Sequence, residues 1–542
     1  MVDEHDKPED WEVGSFTEHA PWTVKVDELR WRRAVPAARW VVARELPDLI
    51  RPRRFPPGFR VVKVLTHLGW AVASWAVVER PRGGSESKAG ISRRLRLAAE
   101  TLGPTYIKLG QILSSGEGIF PVELVEEFKK CRDQVPAEPF SAVREVIEED
   151  FGRSLEDIFS SLARTPIAAA SIAQVHDATL RTGEQVVVKV QRPQVRDLVH
   201  QDLRILSWIA PHMVGRIPIT ALANPPALVE LFGETIAEEL DFRLEAENML
   251  DIAHGFALLG QRGYVVPRPH PTLVTPRVLV MEKLNGYAFD DVESIEAAGI
   301  SGEEIVRTGM IGFMEGAMLH GIFHGDLHGG NLLILDDGRI GLLDYGITGR
   351  LDERKRQAFL RLLIGASMND VRSQLEAFRD LGALPEDTDL DAMILELDLD
   401  KPPPDPTTLT PEELTHEIQT FVKALLGWGA RFPKELMLYV KNLVFLDGAI
   451  ASLAPDLDLF AEIANISMYF AETHGERIAA EVGIDADNFE FDFSGIQASF
   501  GVDPDTTETL TYQDLLERRR IIRERMEDHR ASHRRRGFRR KH

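Results

Sequence analysis

Cysteine is almost absent from this chain, since Cys131 is the only one among 542 residues. A single thiol excludes a disulfide framework and a cysteine-based zinc site, and it fits a reducing cytoplasm. No secretory signal is expected, because the first residues are acidic and polar where a signal peptide is basic and then apolar. Repeats of fixed period are absent as well.

Long apolar runs are scarce. The longest extends from Val64 to Val78 and contains a histidine, which falls short of the roughly 20 residues needed to cross a bilayer. We therefore expect a buried helix or a helix at a membrane surface. Trp70 and Trp75 suit an interfacial position and a packed core equally well.

Negative charge exceeds positive charge except at the end of the chain. The formal net charge is −23, whereas residues 515–542 carry 12 Lys and Arg against 4 Asp and Glu. The acidic body argues against specific nucleic-acid binding, and the basic end suits either a solubilising tail or weak contact with an anionic membrane. This predicts a cytoplasmic protein with peripheral contact at the inner face of a membrane.

What is present is enough material for a globular core, with 44% hydrophobic and 27% charged residues. The pattern of helices, strands and turns predicts five parts. They are an N-terminal region with a linker (1–91), a helical extension (92–160), a small β-rich lobe with one long helix (161–285), a larger helical lobe with an acidic proline-rich insertion near 385–415 (286–480), and a charged flexible tail (481–542). This order predicts an α+β, two-lobed, protein-kinase-like fold.

The stretch "FHGDLHGGNLLILDDGRIGLLDYG" carries the strongest chemical signal. Asp326 and Asn331 are five residues apart, as are a kinase catalytic aspartate and its metal-binding asparagine, and Asp344 precedes an aromatic-Gly pair across a predicted hairpin. Oxygen ligands from Asn331 and Asp344 suit Mg²⁺, and Asp326 is expected to face the incoming hydroxyl. The alternative makes His324 and His328 turn residues or zinc ligands.

Lys189 lies in the apolar run "VVVKVQRP" of a predicted hairpin. A lysine in such a strand requires an anion, because burial of an unpaired charge is costly. The phosphates of ATP and a helical glutamate, for which Glu245 is the candidate, provide that pairing. Asp241 and Glu245 are predicted on one face of the long helix, where a like-charge pair requires nearby cations. The alternative is a solvated acidic face.

Just before this hairpin, where a kinase has a glycine-rich loop, the chain reads "PIAAASIAQVH". Ala168, Ala169 and Ala170, with Ser171, take the place of the glycines. Because glycine allows close backbone approach to phosphate and positive φ, the alanines are expected to alter nucleotide binding.

Six segments in order resemble the UbiB-like (AarF-type) atypical kinases associated with quinone biosynthesis. They are "KLGQILSS", "AAASIAQVH", "VVVKVQRP", "EELDFRLEAEN", "FHGDLHGGN" and "LLDYG". The resemblance extends from about residue 95 to 480. It implies an enzyme that binds ATP or ADP with Mg²⁺ and acts as an atypical kinase or ATPase.

The resemblance also implies roles for individual residues. Lys108 and Gln111 match a Lys-x-Gly-Gln signature on a helix over the active site, and Glu239 and Asp241 match a Glu-x-Asp signature that holds this lysine. The resemblance also implies that Met281 and Glu282 begin the segment that receives adenine through backbone hydrogen bonds.

Two departures from the family pattern bear on these expectations. Gly325, Leu327 and Gly329 replace an alanine and two prolines of the catalytic loop, which puts its rigidity in question. "SSGEGIFP" replaces the usual Arg-Pro-Asp stretch after Gln111, so contacts of that arginine are expected to be absent.

The resemblance favours action on a quinone precursor or another isoprenoid lipid, or on the enzymes that make it. Two alternatives stay open. One is a small-molecule phosphotransferase of the aminoglycoside or choline kinase type, whose loop resembles "HGDLHGGN" but which lacks the Lys-x-Gly-Gln helix and the alanine loop. The other is a nucleotide-binding scaffold without turnover.

Overall fold

A computed structural model describes residues 15–114, 121–130, 136–213, 225–367, 370–399, 427–430, 433–482, 511–517 and 520. Cys131 and most of the basic tail lie outside the described residues. The prediction of an α+β, kinase-like fold is confirmed. The chain forms two compact units: Met1–Asn285 with Gly341–Thr348 is unit 1, and Gly286–Ile340 with Gly349–His542 is unit 2.

Unit 1 contains ten described α-helices. They are α1 (Val35–Ile50), α2 (Arg60–Val78), α3 (Gly84–Leu102), α4 (Pro104–Ser114), α5 (Val122–Phe128), α6 (Phe140–Phe151), α7 (Leu155–Ile158), α8 (Val195–Met213), α9 (Pro225–Glu239) and α10 (Phe242–Leu258). A cluster of apolar residues from α2 to α5 and α8, with Leu102 and Ile205 at its centre, forms the core of the helical extension.

The main sheet of unit 1 is built around the predicted hairpin. Its strands are β1 (Phe159–Leu162), β2 (Ala168–Ala169), β3 (Ala173–Leu180), β4 (Gln185–Gln191), β6 (Pro269–Val274) and β7 (Val278–Glu282), in the order β1-β3-β4-β7-β6 with β2 paired to β3. The short β5 (Tyr264–Val265) lies between α10 and β6. Val186, Val188 and Val190 of β4 pack with α6 in one core, and since side chains alternate along a strand, Lys189 faces the opposite side.

An N-terminal segment anchors the edge of this sheet. Phe16 is buried, and the Arg268 guanidinium lies 4.8 Å from the centre of its ring. The indoles of Trp22 and Trp31 donate to the carbonyls of Pro269 and His270, each at 3.2 Å. The segment that contains Phe16, Trp22 and Trp31 therefore packs against the sheet of unit 1.

The predicted linker before residue 91 is not an open connection. Gly84 already begins α3, and Glu79 is buried, with Arg94 Nη2 2.8 Å from its Oε1. A Cβ at Gly90 would meet the Glu79 side chain at 2.5 Å, so glycine is required for the close approach of α2 and α3. Gly90 of the predicted linker therefore serves helix packing.

The single long helix predicted after residue 225 is wrong, because the chain forms α9 and α10 with a break at Leu240 and Asp241. Asp241 has extended backbone angles and caps α10 by accepting a hydrogen bond from Arg243 N at 3.1 Å. Aspartate is a favoured N-cap residue. Asp241 and Glu245 therefore do not share a helix face.

Unit 2 is mainly helical. Its helices are α11 (Val292–Ala297), α12 (Gly302–Met314), α13 (Glu353–Ser367), α14 (Val371–Asp380), α15 (Leu390–Glu396), α16 (Lys434–Leu453) and α17 (Leu459–Val482). Short strands accompany them: β8 (Tyr287–Ala288), β9 (Ile322–His324), β10 (Leu332–Ile334), β11 (Ile340–Leu342), which ends in unit 1, and β12 (Thr348–Arg350). β8 and β10 pair antiparallel.

The predicted Asp-Gly turn follows β10. Leu335 N donates to Arg339 O at 2.9 Å and Gly338 N to Leu335 O at 2.9 Å. Gly338 has a φ of 82°, which glycine adopts without strain. Residues 400–426, which include the second half of the predicted proline-rich insertion, lie outside the described part of the chain.

The tail predicted to be flexible from residue 481 includes an ordered segment. Tyr512 is 1% exposed, and its N–H donates to Leu457 O at 3.2 Å. The side chain of Gln513 donates to Asp456 at 2.9 Å. Residues 511–517 therefore pack on the loop between α16 and α17.

Two described helices, α2 and α16, have the length and hydropathy of membrane spans. The described α2 is 19 residues long, because it begins four residues before the apolar run identified in the sequence. The apolar window is 44% buried in α16 but 17% buried in α2. This is weak evidence for a span, because core helices of soluble proteins have the same composition.

Candidate functional site

In unit 1, Lys189 lies on β4 with its ammonium group between two carboxylates. Its Nζ is 2.6 Å from Glu245 Oε1 and 3.2 Å from Asp344 Oδ1, and it lies 5.5 Å from the centre of the Phe242 ring. Lys189 thus directly contacts both Glu245 and Asp344. The sequence analysis placed these residues at one site, although Lys189 and Asp344 are 155 positions apart.

Glu245 reaches this position from the first turn of α10. It is 3% exposed, and its Oε1 also accepts a hydrogen bond from Tyr345 N at 3.4 Å. One turn later, Asn248 Nδ2 donates to Tyr345 O at 2.9 Å. The helix therefore fixes both backbone polar groups of the residue after Asp344.

The charges of this cluster are coupled. Burial lowers the pKa of Lys189, but the carboxylates of Asp344 and Glu245 outweigh burial and hold this pKa above its ordinary value. Burial raises the pKa of Glu245, and Asp344 adds to this effect while Lys189 opposes it. Two carboxylates share one ammonium group, so the cluster carries excess negative charge that a further cation would neutralise.

Asp344 begins a tight turn. Its Oδ1 accepts a hydrogen bond from Gly346 N at 2.9 Å, and its side chain is 44% exposed. Tyr345 is fully buried. A Cβ at Gly346 would lie 3.2 Å from Glu239 Cγ, so glycine here allows the close approach of α9. Asp344 is therefore partly exposed, and the buried ring of the next residue, Tyr345, fixes the turn to unit 1.

Lys108, on α4, forms an ion pair with Glu239 at the end of α9. The Nζ to Oε1 distance is 2.8 Å, and the two side chains are 13% and 5% exposed. Gln111 lies three residues later on α4. Asp241, the other acidic residue expected to hold Lys108, makes two hydrogen bonds to the Arg243 guanidinium, at 2.9 and 2.6 Å. The extension thus meets the Asp344 turn through Glu239.

The alanine loop consists of the short strand β2 (Ala168–Ala169) and the first part of the tight turn that leads into β3. Ala170 N donates to Ala173 O at 2.8 Å, and Ser171 is buried. Among the described non-glycine residues, positive φ occurs at Gln194 and Asp398, so Ala168, Ala169 and Ala170 adopt ordinary backbone angles. The turn does not need glycine for its conformation.

Arg192, which the sequence interpretation missed, holds this turn. Its Nε donates to Ala170 O at 3.0 Å, and its Nη1 donates to Pro136 O and Glu138 Oε1, each at 2.9 Å. The guanidinium is 5% exposed. One buried arginine thus ties the alanine loop to the extension. In the sequence, Arg192 precedes a proline, which indicated only that a strand ends there.

Met281 and Glu282 end β7, next to β4. Met281 pairs with Val187, and the N–H of Glu282 donates to Arg268 O at 2.9 Å. The Glu282 carboxylate lies 3.1 Å from the Arg268 guanidinium and accepts a hydrogen bond from Thr17. The N–H and side chain of Glu282 are therefore committed within the protein.

In unit 2, Asp326 and Asn331 lie on one loop after β9. Asn331 Nδ2 donates to Asp326 O at 2.9 Å, and Asp326 N donates to His324 Nδ1 at 3.2 Å. His328 caps the next turn by accepting from Gly330 N at 3.1 Å. Both histidines thus act as hydrogen-bond acceptors in the loop.

Two further residues that contact this loop were missed. Lys441, on α16, forms an ion pair with Asp326, and Asn442 bonds to the backbone of His324 and Leu327. They follow the loop by more than 110 residues, in a helix whose sequence reads as apolar. The only sequence feature that could have indicated these contacts is that Lys441 and Asn442 are adjacent polar residues within an apolar part of the helix.

The donors fit a hard cation and do not fit zinc. Asn331 and Asp344 offer amide and carboxylate oxygen, the ligand types that Mg²⁺ prefers. Within the described ranges, no three His, Cys, Asp or Glu residues form a group that could hold a metal ion.

Three features together define a kinase-like protein. They are a pair between a strand lysine and a helical glutamate, an aspartate before an aromatic-Gly turn, and an Asp-x4-Asn loop. The model of the ABC1 atypical kinase-like domain matches residues 130–378. An aarF domain-containing protein kinase of Arabidopsis thaliana is 33% identical over 393 residues, which are 68% of this chain and 73% of that protein. The chain belongs to the ABC1 (UbiB/AarF) family of atypical kinase-like proteins.

Two other relatives are also similar to this chain. A protein of Aeromonas hydrophila named as a probable protein kinase UbiB is 30% identical over 387 residues, 69% of each chain. An uncharacterized protein of Mycobacterium tuberculosis is 41% identical over 292 residues, 53% of this chain and 59% of that protein. The chain thus spans about three fifths of the length of the mycobacterial relative.

Proposed function

We propose that this chain binds ATP together with Mg²⁺ and uses it for phosphoryl transfer or ATP hydrolysis. The observation that carries the proposal is the cluster of Lys189, Glu245 and Asp344. An ammonium group held by a helical glutamate is the arrangement with which kinases contact nucleotide phosphates. The excess negative charge of the cluster fits a metal ion at Asp344.

Each part of the nucleotide has candidate contacts. The alanine loop, Ala168 to Ser171, would cover the phosphates with its backbone, and the segment after Met281 and Glu282 would receive adenine. Because the N–H of Glu282 is committed, adenine recognition falls on groups that follow it. Asp344 and Asn331 would hold Mg²⁺, which when bound neutralises charge on the phosphates.

Asp326 is the proposed general base. It would accept the proton of the attacking hydroxyl as the new O–P bond forms and the bond to the ADP oxygen breaks. When water attacks in place of an acceptor, the same step is ATP hydrolysis. The Lys108–Glu239 pair and the alanine loop favour the UbiB-like activity over a small-molecule phosphotransferase, which lacks both.

The proposal is tested by separating binding from turnover. Asp344→Asn should weaken Mg²⁺-dependent ATP binding, measured by calorimetry, by at least tenfold. Asp326→Asn should keep the affinity and lower turnover of labelled ATP by about 10²- to 10⁴-fold. Asp337→Asn, in the turn between β10 and β11, is the matched control. Unchanged MgATP affinity in Asp344→Asn would refute the metal assignment.

We further propose a lipid-soluble quinone precursor, or an enzyme that makes it, as the target of this activity. The family resemblance supports this, as do relatives that carry the name UbiB. Labelled ATP supplied with a phenolic quinone precursor and anionic liposomes should label the precursor or stimulate ATP hydrolysis. A rate that is the same with and without the precursor would argue against this target.

Peripheral contact with an anionic membrane is proposed for α2. Its buried face carries Val61, Val64 and Ala71, yet its other face is also apolar, with Trp70 73% exposed and Val77 77% exposed. Polar residues would be expected on that face if it met only water. Basic residues flank the helix at both ends, namely Arg51, Arg53, Arg54, Arg80 and Arg82, in a chain with a net charge of −23. This pattern suits an interfacial helix on anionic lipid.

The membrane proposal is tested with vesicles. Trp70→Ser should reduce co-sedimentation with anionic vesicles, while Trp208→Ser, at a partly buried tryptophan packed against the helical core of unit 1, is the control for a lost tryptophan. Deletion of residues 521–542 measures what the basic tail adds at low salt. Equal sedimentation of wild type and Trp70→Ser would refute contact through α2.

A further inference from the structure

In unit 2, α16 contacts the loop around Asp326 at two consecutive residues. Lys441 Nζ forms an ion pair with Asp326 Oδ1. Asn442 is fully buried and bonds to the backbone on both sides of Asp326: its Oδ1 accepts from Leu327 N at 3.0 Å, and its Nδ2 donates to His324 O. A single helical turn thus holds both the side chain and the backbone of the proposed base.

The position of α16 is itself fixed close to the loop. The Tyr439 ring lies 4.9 Å from that of Phe359 and 5.0 Å from that of Phe313, centre to centre. It also lies 6.0 Å from Phe323, the residue immediately before His324. Because close-packed aromatic rings allow little relative movement, Lys441 and Asn442 extend from a fixed support.

The ion pair differs from an ordinary surface pair. The side chains of Lys441 and Asp326 are 21% and 18% exposed, so the pair is only partly screened by solvent. An ammonium group on one carboxylate oxygen limits rotation of the carboxylate, and thereby sets the direction of the second oxygen. A base must lie within hydrogen-bond reach of the proton that it accepts, so this direction matters for the rate.

We infer that Lys441 and Asn442 are positioning residues for phosphoryl transfer at Asp326. Lys441 orients the carboxylate that accepts the proton, and Asn442 fixes the backbone that carries it. The catalytic loop has glycines at positions 325 and 329, on either side of Asp326 and His328, so rigidity that the loop does not have in its own sequence is supplied by α16. This inference rests on the proposed function.

The test is steady-state kinetics of ATP turnover in Lys441→Met, a variant of similar length without the charge. The kcat should fall by about 10- to 100-fold while the KM for ATP stays within twofold of wild type, because nucleotide contacts are unchanged. Lys441→Arg keeps the charge and should restore kcat to within fivefold of wild type. A purely structural role would not produce this split with rescue by arginine.

The matched control is Glu435→Gln, which removes another ion pair of α16. Glu435 Oε1 lies 2.9 Å from Lys355 Nζ, and its loss should leave kcat within twofold of wild type. Wild-type kcat in Lys441→Met, or an equal loss in Glu435→Gln, would overturn the inference while the proposed function stands. Absence of turnover in the wild-type protein, with MgATP bound, would overturn the proposed function and this inference together.

Discussion

The two units hold their chemically active groups in different ways. In unit 1, the ammonium group of Lys189 forms ion pairs with both Glu245 and Asp344, so one cation holds two carboxylates that repel each other. In unit 2, the loop around Asp326 is held from outside, by an ion pair and by amide hydrogen bonds from α16. The stability of the charge cluster depends on its net charge, whereas the stability of the braced loop, the loop around Asp326 that α16 holds, depends on individual hydrogen bonds and an ion pair. Substitutions in each unit should therefore have different effects on stability.

The largest effect is expected at the charge cluster. Lys189→Ala should destabilise the protein by about 3 to 5 kcal/mol, because it leaves Glu245 buried without its cation. The double variant Lys189→Met with Glu245→Met should recover much of this loss, since no uncompensated charge is left. Urea unfolding measures both. If the double variant is as unstable as Lys189→Ala, charge balance does not govern this cluster.

The second prediction concerns the braced loop. Asn442→Ala should destabilise the protein by about 3 kcal/mol, because the Leu327 N–H and the His324 carbonyl lose partners in a buried site. Here Asn442→Ser, which keeps a hydroxyl, should recover part of the loss. Unfolding at low and high salt should give the same difference from wild type, and a strong salt dependence would contradict a hydrogen-bond brace.

The extension provides a third comparison. Lys108→Ala should cost about 2 kcal/mol, because it removes one cation from the carboxylate of Glu239, which is 5% exposed. It should also change ADP and ATP affinity, since Glu239 lies against Gly346. Lys130→Ala, on an exposed ion pair, is the control and should cost less than about 0.5 kcal/mol. Ala169→Gly tests the loop separately. If both Lys108→Ala and Ala169→Gly bind ADP and ATP with wild-type affinity, the extension has no regulatory role.

The smallest effect is a pH dependence in unit 1. Burial lowers the pKa of His270 to about 4, and its Nδ1 accepts hydrogen bonds from Thr272 N and Leu273 N, each at 3.1 Å. The neutral ring is therefore favoured in the folded state. Its contribution is fully present above about pH 6.5, the pKa of an unfolded histidine, and is lost as the pH falls towards 4.

His270→Asn removes this titration while keeping an acceptor for the two N–H groups. Between pH 6.5 and 4, the stability of wild type should fall by about 1 to 2 kcal/mol more than that of the variant. Trp22, whose ring lies 5.0 Å from His270, provides a local fluorescence signal. Parallel profiles for the two proteins would exclude His270 as the cause.

The sequence predicted the kinase-like fold and the contact between Lys189 and Glu245, because a lysine in an apolar strand and an acidic helix are each visible within a few residues. The hairpin of β3 and β4 followed from alternation and turn residues. The break between α9 and α10 was missed because Asp241 continues a helical pattern while capping a new helix. Lys441, Asn442 and Arg192 were missed because their partners are far away in the sequence.

The return of Gly341–Thr348 to unit 1 has a consequence for synthesis on the ribosome. Residues 286–340 must be made before Asp344 and Tyr345 emerge, which takes roughly 3 to 10 seconds at usual translation rates. During that interval the nascent Lys189 has Glu245 as a carboxylate partner, but neither Asp344 nor the Tyr345 N–H exists. A fragment that ends at Asn285 should therefore be a poor substitute for unit 1, and the chain completes its first unit only after more than half of its length has been translated.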